Sequence, residues 1–264
     1  MTRTLIALTG IAAAAGAAHA QLGVAVSATG ADNFASESIA VVSPAYDGAA
    51  MLNAWAGGDM FGISSRPLAA GTVNNLPFAM ADDSNGTFPT DNLGIIDATD
   101  NGRFFGVTDT WNTPNGNNGG TADWSFNIGP NSNVSVSIDM AAMGDFEAGQ
   151  DIYDFTYSYD GVNYFPLFSG AVDEAGSMSY TMAGGSSYSL DDPMTMNGTY
   201  LNNNFQTLSA IAAGSGSTFY LHFAGGGDGG SEVFAFRNVT ITPTPGAAAL
   251  LGLAGLAGIR RRRA

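Results

Sequence analysis

The chain reads as all-β, an antiparallel β-sandwich of jelly-roll-like form. Three observations predict it. Apolar and polar residues alternate in short runs, Gly, Asn, Asp and Ser cluster between those runs, and no long stretch of the body repeats its apolar residues at the helical period. Many short strands separated by turn residues build sandwiches and jelly rolls.

In the N-terminal half, residues 38–42, Met60 to Ile63 and Phe104 to Val107 are predicted strands between loops rich in Asn, Asp, Gly and Pro. Asn112 to Gly120 is predicted to be a long surface loop. Trp124, Phe126 and Ile128 alternate in the next strand, and Gly129-Pro130-Asn131 predicts a turn after it. From Asn133 to Met140 the alternation is clearest: Val134, Val136, Ile138 and Met140 face one way, Ser135, Ser137 and Asp139 the other. Phe155, Tyr157 and Tyr159 form a further strand, and Asp160-Gly161 predicts a tight turn into Val162, Tyr164 and Phe165. Met178, Tyr180 and Met182 mark another strand. Phe219, Leu221 and Phe223 alternate with Tyr220 and His222, and after the glycine loop Gly225 to Gly230 the segment Val233 to Ile241 closes the domain.

Both ends differ from this body. Arg3, the apolar run Leu5 to Ala18 and the small-x-small site Ala18-His19-Ala20 read as a cleaved secretory signal over residues 1–20. Residues 21–242 are then one exported β-sandwich domain. Residues 243–264 form a tail. Pro243 and Pro245 interrupt strand hydrogen bonding, Ala247 to Ile259 form a short apolar helix, and Arg260, Arg261, Arg262 and Arg263 follow. An apolar helix of thirteen residues covers about 20 Å, short of the roughly 30 Å hydrocarbon core, and the basic block resists translocation. Proline motif, short apolar helix and terminal arginines in this order resemble the PEP-CTERM sorting signal of bacterial surface proteins; Thr244 stands where that signal usually has Glu. The resemblance implies transient anchoring in the inner membrane and cleavage by an exosortase-type membrane protease, leaving the protein at the cell surface or outside the cell.

Within the body, "NGRFFGVTDTW", "ADWSFNIGPNSNVSVSIDMAAMGDFE" and "DIYDFTYSYDG" resemble β-sandwich accessory modules of secreted bacterial proteins. The closing "EVFAFRNVTIT" is similar to the last strand of jelly-roll carbohydrate-binding folds, with Arg237 where those folds commonly have Asp.

Charge narrows the function. Apart from the two ends, the body holds three arginines and no lysine against 23 acidic residues, a formal charge of −20. Such a field repels phosphate backbones and excludes nucleic acid as a partner. There is no cysteine, so no disulfide, thiol nucleophile or Cys-ligated zinc. Beyond the signal, His222 is the one histidine, which rules out a multi-histidine metal site.

The excess acid points instead to a hard cation, and Ca²⁺ is the expected cofactor. Asp139, Asp145, Glu147, Asp151 and Asp154 fall in and beside one predicted loop and are the first ligand set; Asp228 with Glu232 is a second, and Asp97, Asp100 and Asp109 a third. None has EF-hand spacing. Trp111 and Tyr164, both beside predicted loops, are the candidate sugar-stacking rings. Carboxylate pairs such as Asp82 with Asp83 or Asp191 with Asp192 are the raw material of the alternative, glycan hydrolysis. The reading that fits best is a non-catalytic, lectin-like surface or matrix protein contacting exopolysaccharide; a purely structural acidic protein is the remaining class.

Overall fold

The computed structural model describes residues 20–21, 51–52, 59–66, 76–77, 79–82, 93–111 and 119–243. The expected signal (apart from Ala20), the tail after Pro243, the strand at 38–42 and most of the loop 112–120 lie outside them. In chain order the strands are β1 (Ala20–Gln21), β2 (Met51–Leu52), β3 (Met60–Ser65), β4 (Ala81–Asp82) and β5 (Ile96–Asp97). Then come β6 (Arg103–Thr108), β7 (Gly120–Met143), β8 (Ile152–Ser158), β9 (Phe165–Val172) and β10 (Ser177–Thr181). The last are β11 (Ser187–Asp191), β12 (Met194–Met196), β13 (Thr199–Tyr200), β14 (Gln206–Gly226) and β15 (Val233–Pro243). The fold is all-β and, but for the short parallel pair β4 and β5, antiparallel.

The main sheet runs β13-β12-β9-β8-β14-β7-β15-β6-β3-β2, with β1 paired to β15. Its two long central strands make one ladder from Gly120 opposite Gly225 to Met140 opposite Gln206. The turn expected at Gly129-Pro130-Asn131 is therefore absent: the backbone stays in the ladder, with Asn131 opposite Gly216. Register shifts between Ala212 and Ser215 and between Gly216 and Thr218 bend the pair there. Across the bend the inward set of β14 changes from Leu208 and Ala212 to Phe219, Leu221 and Phe223, since a one-residue slip exchanges the two faces of a strand.

Either side of the bend the long strands take different neighbours. The second half of β7 pairs with β15, which pairs with β6 and so reaches β3 and β2. The second half of β14 pairs with β8, then β9, β12 and β13. These are the two layers of the sandwich, and their inner faces meet in one aromatic core. Phe105 of β6 stands edge-on to Phe223 of β14 at 5.6 Å, and Phe155 of β8 to Phe236 of β15 at 5.0 Å. Gly120 admits the closure, because a Cβ there would stand 2.4 Å from the Phe61 ring.

The outer face of the β15 layer is also covered. Met60, Phe104, Ala141, Met143, Val233 and Ala235 point away from the main core into a second cluster. The hairpin β10–β11, through Tyr180 and Met182, and the β4–β5 segment, through Met80 and Ile96, pack onto them. The outer face of the other layer carries polar residues and remains half-exposed across its central strands.

Candidate functional site: an acidic cage and an open polar face

Two features of the sandwich carry chemistry. The first lies at one end, where the turn joining β7 to β8 meets the loop joining β14 to β15. Register brings them together: Gly226, the last residue of β14, pairs with Ile152, the first of β8, so Asp151 and the residues after Gly226 are neighbours. Glu147, Asp151, Asp228 and Glu232 each turn a carboxylate oxygen inward, and these atoms lie within 4.8 Å of one another. Glu147 and Asp228 are exposed, whereas Asp151 and Glu232 are buried, only 6 % and 5 % exposed.

Local backbone geometry aims these groups. The Glu147 N–H donates to Asp151 Oδ2 at 2.6 Å, and the Gly229 N–H to Glu232 Oε2 at 2.8 Å. Asp151 N–H also donates to Glu147 O, closing the turn. The two loops touch at Gly144, where a Cβ would stand 2.8 Å from Glu232 Cα. Burial, then repulsion from neighbouring acids, raises Asp151 and Glu232 well above the usual carboxylate range; Glu147 is raised for the same reasons. Beside the cage, Asp109 is pushed up to about 6 by burial and by Asp59.

Of the first sequence set, the cage takes Glu147 and Asp151 and joins them to Asp228 and Glu232 of the second. The other members stand elsewhere. Asp139 accepts from Thr207 Oγ1 at 2.5 Å and from Asn238 Nδ2 at 2.7 Å on the β15 layer. Asp154 accepts from the Gly170 N–H, and Asp145 is exposed outside the cage. In the third set, Asp97 binds Thr99, Asp100 pairs with Arg237 at 2.7 Å, and Asp109 lies near Gly230. The four cage oxygens lie within 4.8 Å of one another. They can hold a metal ion.

The second feature is the outer face of the β8–β14 layer. Asp123 of β7, His222 of β14 and Thr156 of β8 are direct cross-strand partners, with Pro166 of β9 next in the row. His222 Nδ1 and Asp123 Oδ1 are 2.7 Å apart, both partly exposed. Tyr164, 40 % exposed in the β8–β9 loop, sets its ring edge-to-face with the imidazole at 5.7 Å. That loop is built on Asp160, whose carboxylate accepts from the Ser158 hydroxyl and from the Val162 and Asn163 N–H groups. Those donors, led by the Asn163 backbone, hold the Asp160 carboxyl well below its usual value.

Trp111 sits apart from this face and beside the cage. Its N–H and that of Thr110 both donate to Gly227 O at 2.9 Å. The indole lies on glycine backbone, with Nε1 buried 2.3 Å from where a Gly226 Cβ would be.

No protein-family model matches the chain, and no curated protein does. Solved structures similar to it include one described as "CBM4 structure and function", at 10 % identity and TM-score 0.29, covering 54 % of this chain and 70 % of that one. Another is the CBM22-1 xylan-binding domain of Paenibacillus barcinonensis Xyn10C, at 10 % identity, TM-score 0.26, and 53 % and 72 % coverage. A third is the Clostridium thermocellum xylanase 10B CBM22-1–GH10 structure with xylohexaose, at 10 % identity and TM-score 0.28. It is matched over 55 % of this chain, which spans 22 % of that one. The class defined by the fold is a jelly-roll-like antiparallel β-sandwich.

Proposed function

We propose that the protein is an exported, non-catalytic component of the cell surface or extracellular matrix that contacts exopolysaccharide. In this reading the tail anchors it transiently and an exosortase-type protease releases it. The observation that carries the glycan contact is the open face around Tyr164, His222 and Asp123. A partly exposed aromatic ring beside a hydrogen-bonded imidazole and carboxylate offers a sugar an apolar surface and directional hydroxyl partners together. Trp111, with its indole on glycine backbone, serves this reading as support for the adjoining loop. Ca²⁺ enters as a structural ion of the fold, suited to all-oxygen ligands and to an extracellular setting without disulfides.

The test is retention of the purified protein on the native exopolysaccharide and on a glycan array. Wild type should be retained without releasing reducing sugar, and Tyr164→Ala should weaken retention about fivefold, equivalent to about 1 kcal/mol of stacking. Equal retention of Tyr164→Ala and wild type would remove this face from the contact.

A further inference from the structure

We propose that Glu147, Asp151, Asp228 and Glu232 bind one hard divalent cation, and that the ion staples the β7–β8 turn to the β14–β15 loop. The inference rests on the reading of the chain as an exported fold stabilised by Ca²⁺, and names the site and its work.

Convergence of the four carboxylates is one observation. An independent one is beneath them. Tyr153 is fully buried, its hydroxyl has no hydrogen-bond partner, and that hydroxyl borders the same point beside Gly227 as Asp151 Oδ1 and Glu232 Oε2. A Cβ on Gly227 would stand 2.8 Å from that oxygen, 2.5 Å from Asp151 Oδ1 and 3.6 Å from Glu232 Oε2. Asp151 Oδ1 is itself buried without a partner, although Oδ2 of the same group is taken by the Glu147 N–H. A buried carboxylate oxygen and a buried hydroxyl facing one point, both unsatisfied, form an arrangement native proteins avoid unless something occupies that point.

The chemistry selects the occupant. The charged groups acting most strongly on Asp151 and Glu232 are other carboxylates, with no cationic side chain of the described residues among them. The donor set is oxygen only, with one oxygen of each buried carboxylate oriented by a backbone N–H of its own loop, as ligands of a metal are oriented by their outer partners. Two exposed and two buried acids in irregular loops suit Ca²⁺, which takes six to eight oxygens in flexible geometry, better than Mg²⁺, which demands a near-ideal octahedron. The ligands come from the ends of β7–β8 and β14–β15, so the ion ties together segments far apart in sequence, as a disulfide does in other exported folds. It also fixes Gly227, on whose carbonyl the Trp111 and Thr110 amides hang.

The experiment uses the full chain stripped with a chelator. Calorimetric titration with Ca²⁺ should show one ion per chain, with Mg²⁺ at least tenfold weaker. Tb³⁺ should bind with luminescence sensitised by the adjacent Tyr153 and Trp111. Ca²⁺ should raise the unfolding midpoint of wild type, and of the controls Asp139→Asn and Asp145→Asn, but not that of Asp151→Asn or Glu232→Gln. These last two remove repulsion and should fold at least as well as metal-free wild type, so loss of binding cannot be misfolding. Absence of Ca²⁺ heat in wild type, or an undiminished midpoint shift in both cage variants, would overturn the proposal. Glycan retention measured on the same samples reports separately: its loss in wild type would remove the surface reading and leave the cation site standing.

Discussion

Phe61 and Phe223 stack at 6.3 Å, although four strand-to-strand steps separate β3 from β14 in the sheet. In a flat sheet those steps would put them about 19 Å apart. The sheet must roll until its two halves face each other, and the rings of Phe105, Phe155, Phe234 and Phe236 fill the space between. A ring at this junction holds both layers, so Phe223→Ala should cost about 3–5 kcal/mol, whereas Phe165→Ala, on a ring 53 % exposed, should cost much less. Denaturant midpoints of the two variants check this; similar midpoints would mean that the layers do not depend on the aromatic junction.

That closure was partly legible. Alternation in residues 124–128 and 134–140 identified which side chains face inward, and all of them do. The inward parity is the same from Ala122 to Ile128 and from Val134 to Ala142, which is what one continuous strand requires; the Gly-Pro-Asn sequence outweighed that sign and suggested a turn. The cage was legible only as two separate acidic sets, because the pairing of Gly226 with Ile152 that unites them is a long-range fact with no local trace. His222 and Asp123 are likewise cross-strand partners whose meeting depends on register. The cover over the second core escaped notice because its hairpin, β10–β11, alternates like any strand and nothing local says which face it shields.

Arg237, singled out in the sequence as a departure from related closing strands, pins a loop. Its Nη1 donates to Asp100 Oδ2 at 2.7 Å, and its guanidinium lies 3.9 Å over the Phe205 ring. Both partners are partly buried, so Arg237→Ala should destabilise the fold by about 1–2 kcal/mol, with Arg237→Lys recovering only part because an ammonium cannot both stack and fork. Thermal melts of the three proteins in equal salt decide it, and full recovery by Lys would leave charge alone as the cause.

Stability of the metal-free protein should fall as pH rises above about 4. Asp109 is raised from its usual 3.8 to about 6, mainly by burial, and Asp151 and Glu232 are raised further. Across this window the unfolded chain has released protons that the folded chain still holds, so each increment of pH favours unfolding. Asp160 and Asp97 act oppositely: hydrogen bonds depress them, and their contribution is lost only as pH falls below the usual value of 3.8. Melting temperature in chelator should therefore peak near pH 4 and decline toward neutrality, and Ca²⁺ should flatten the decline. A steady rise from about pH 4 to 7 in chelator would contradict it.

The tail is tested by mass. If the arginine block holds the chain for cleavage near Pro243 and Pro245, protein recovered from the cell surface should lack Arg260 to Arg263. Replacing the four arginines by Ser should let uncleaved precursor accumulate. Intact arginines on wild-type surface material would leave a simple anchor in place of the sorting reading.

His222 separates binding from catalysis. Its imidazole is held by Asp123 and edged by Tyr164, a pairing that suits either a sugar contact or a general base. As a contact, His222→Ala should lower glycan retention modestly, about fivefold or less, because one hydrogen-bonding group of several is lost. As a general base, it would carry about 10²–10⁴ of the rate, so any glycan hydrolysis by wild type should nearly vanish in the variant. The β-strand neighbours directly opposite His222 are Asp123 and Thr156. Reducing-sugar release by the purified wild type, lost in His222→Ala, would replace the surface-binding reading with an enzymatic one.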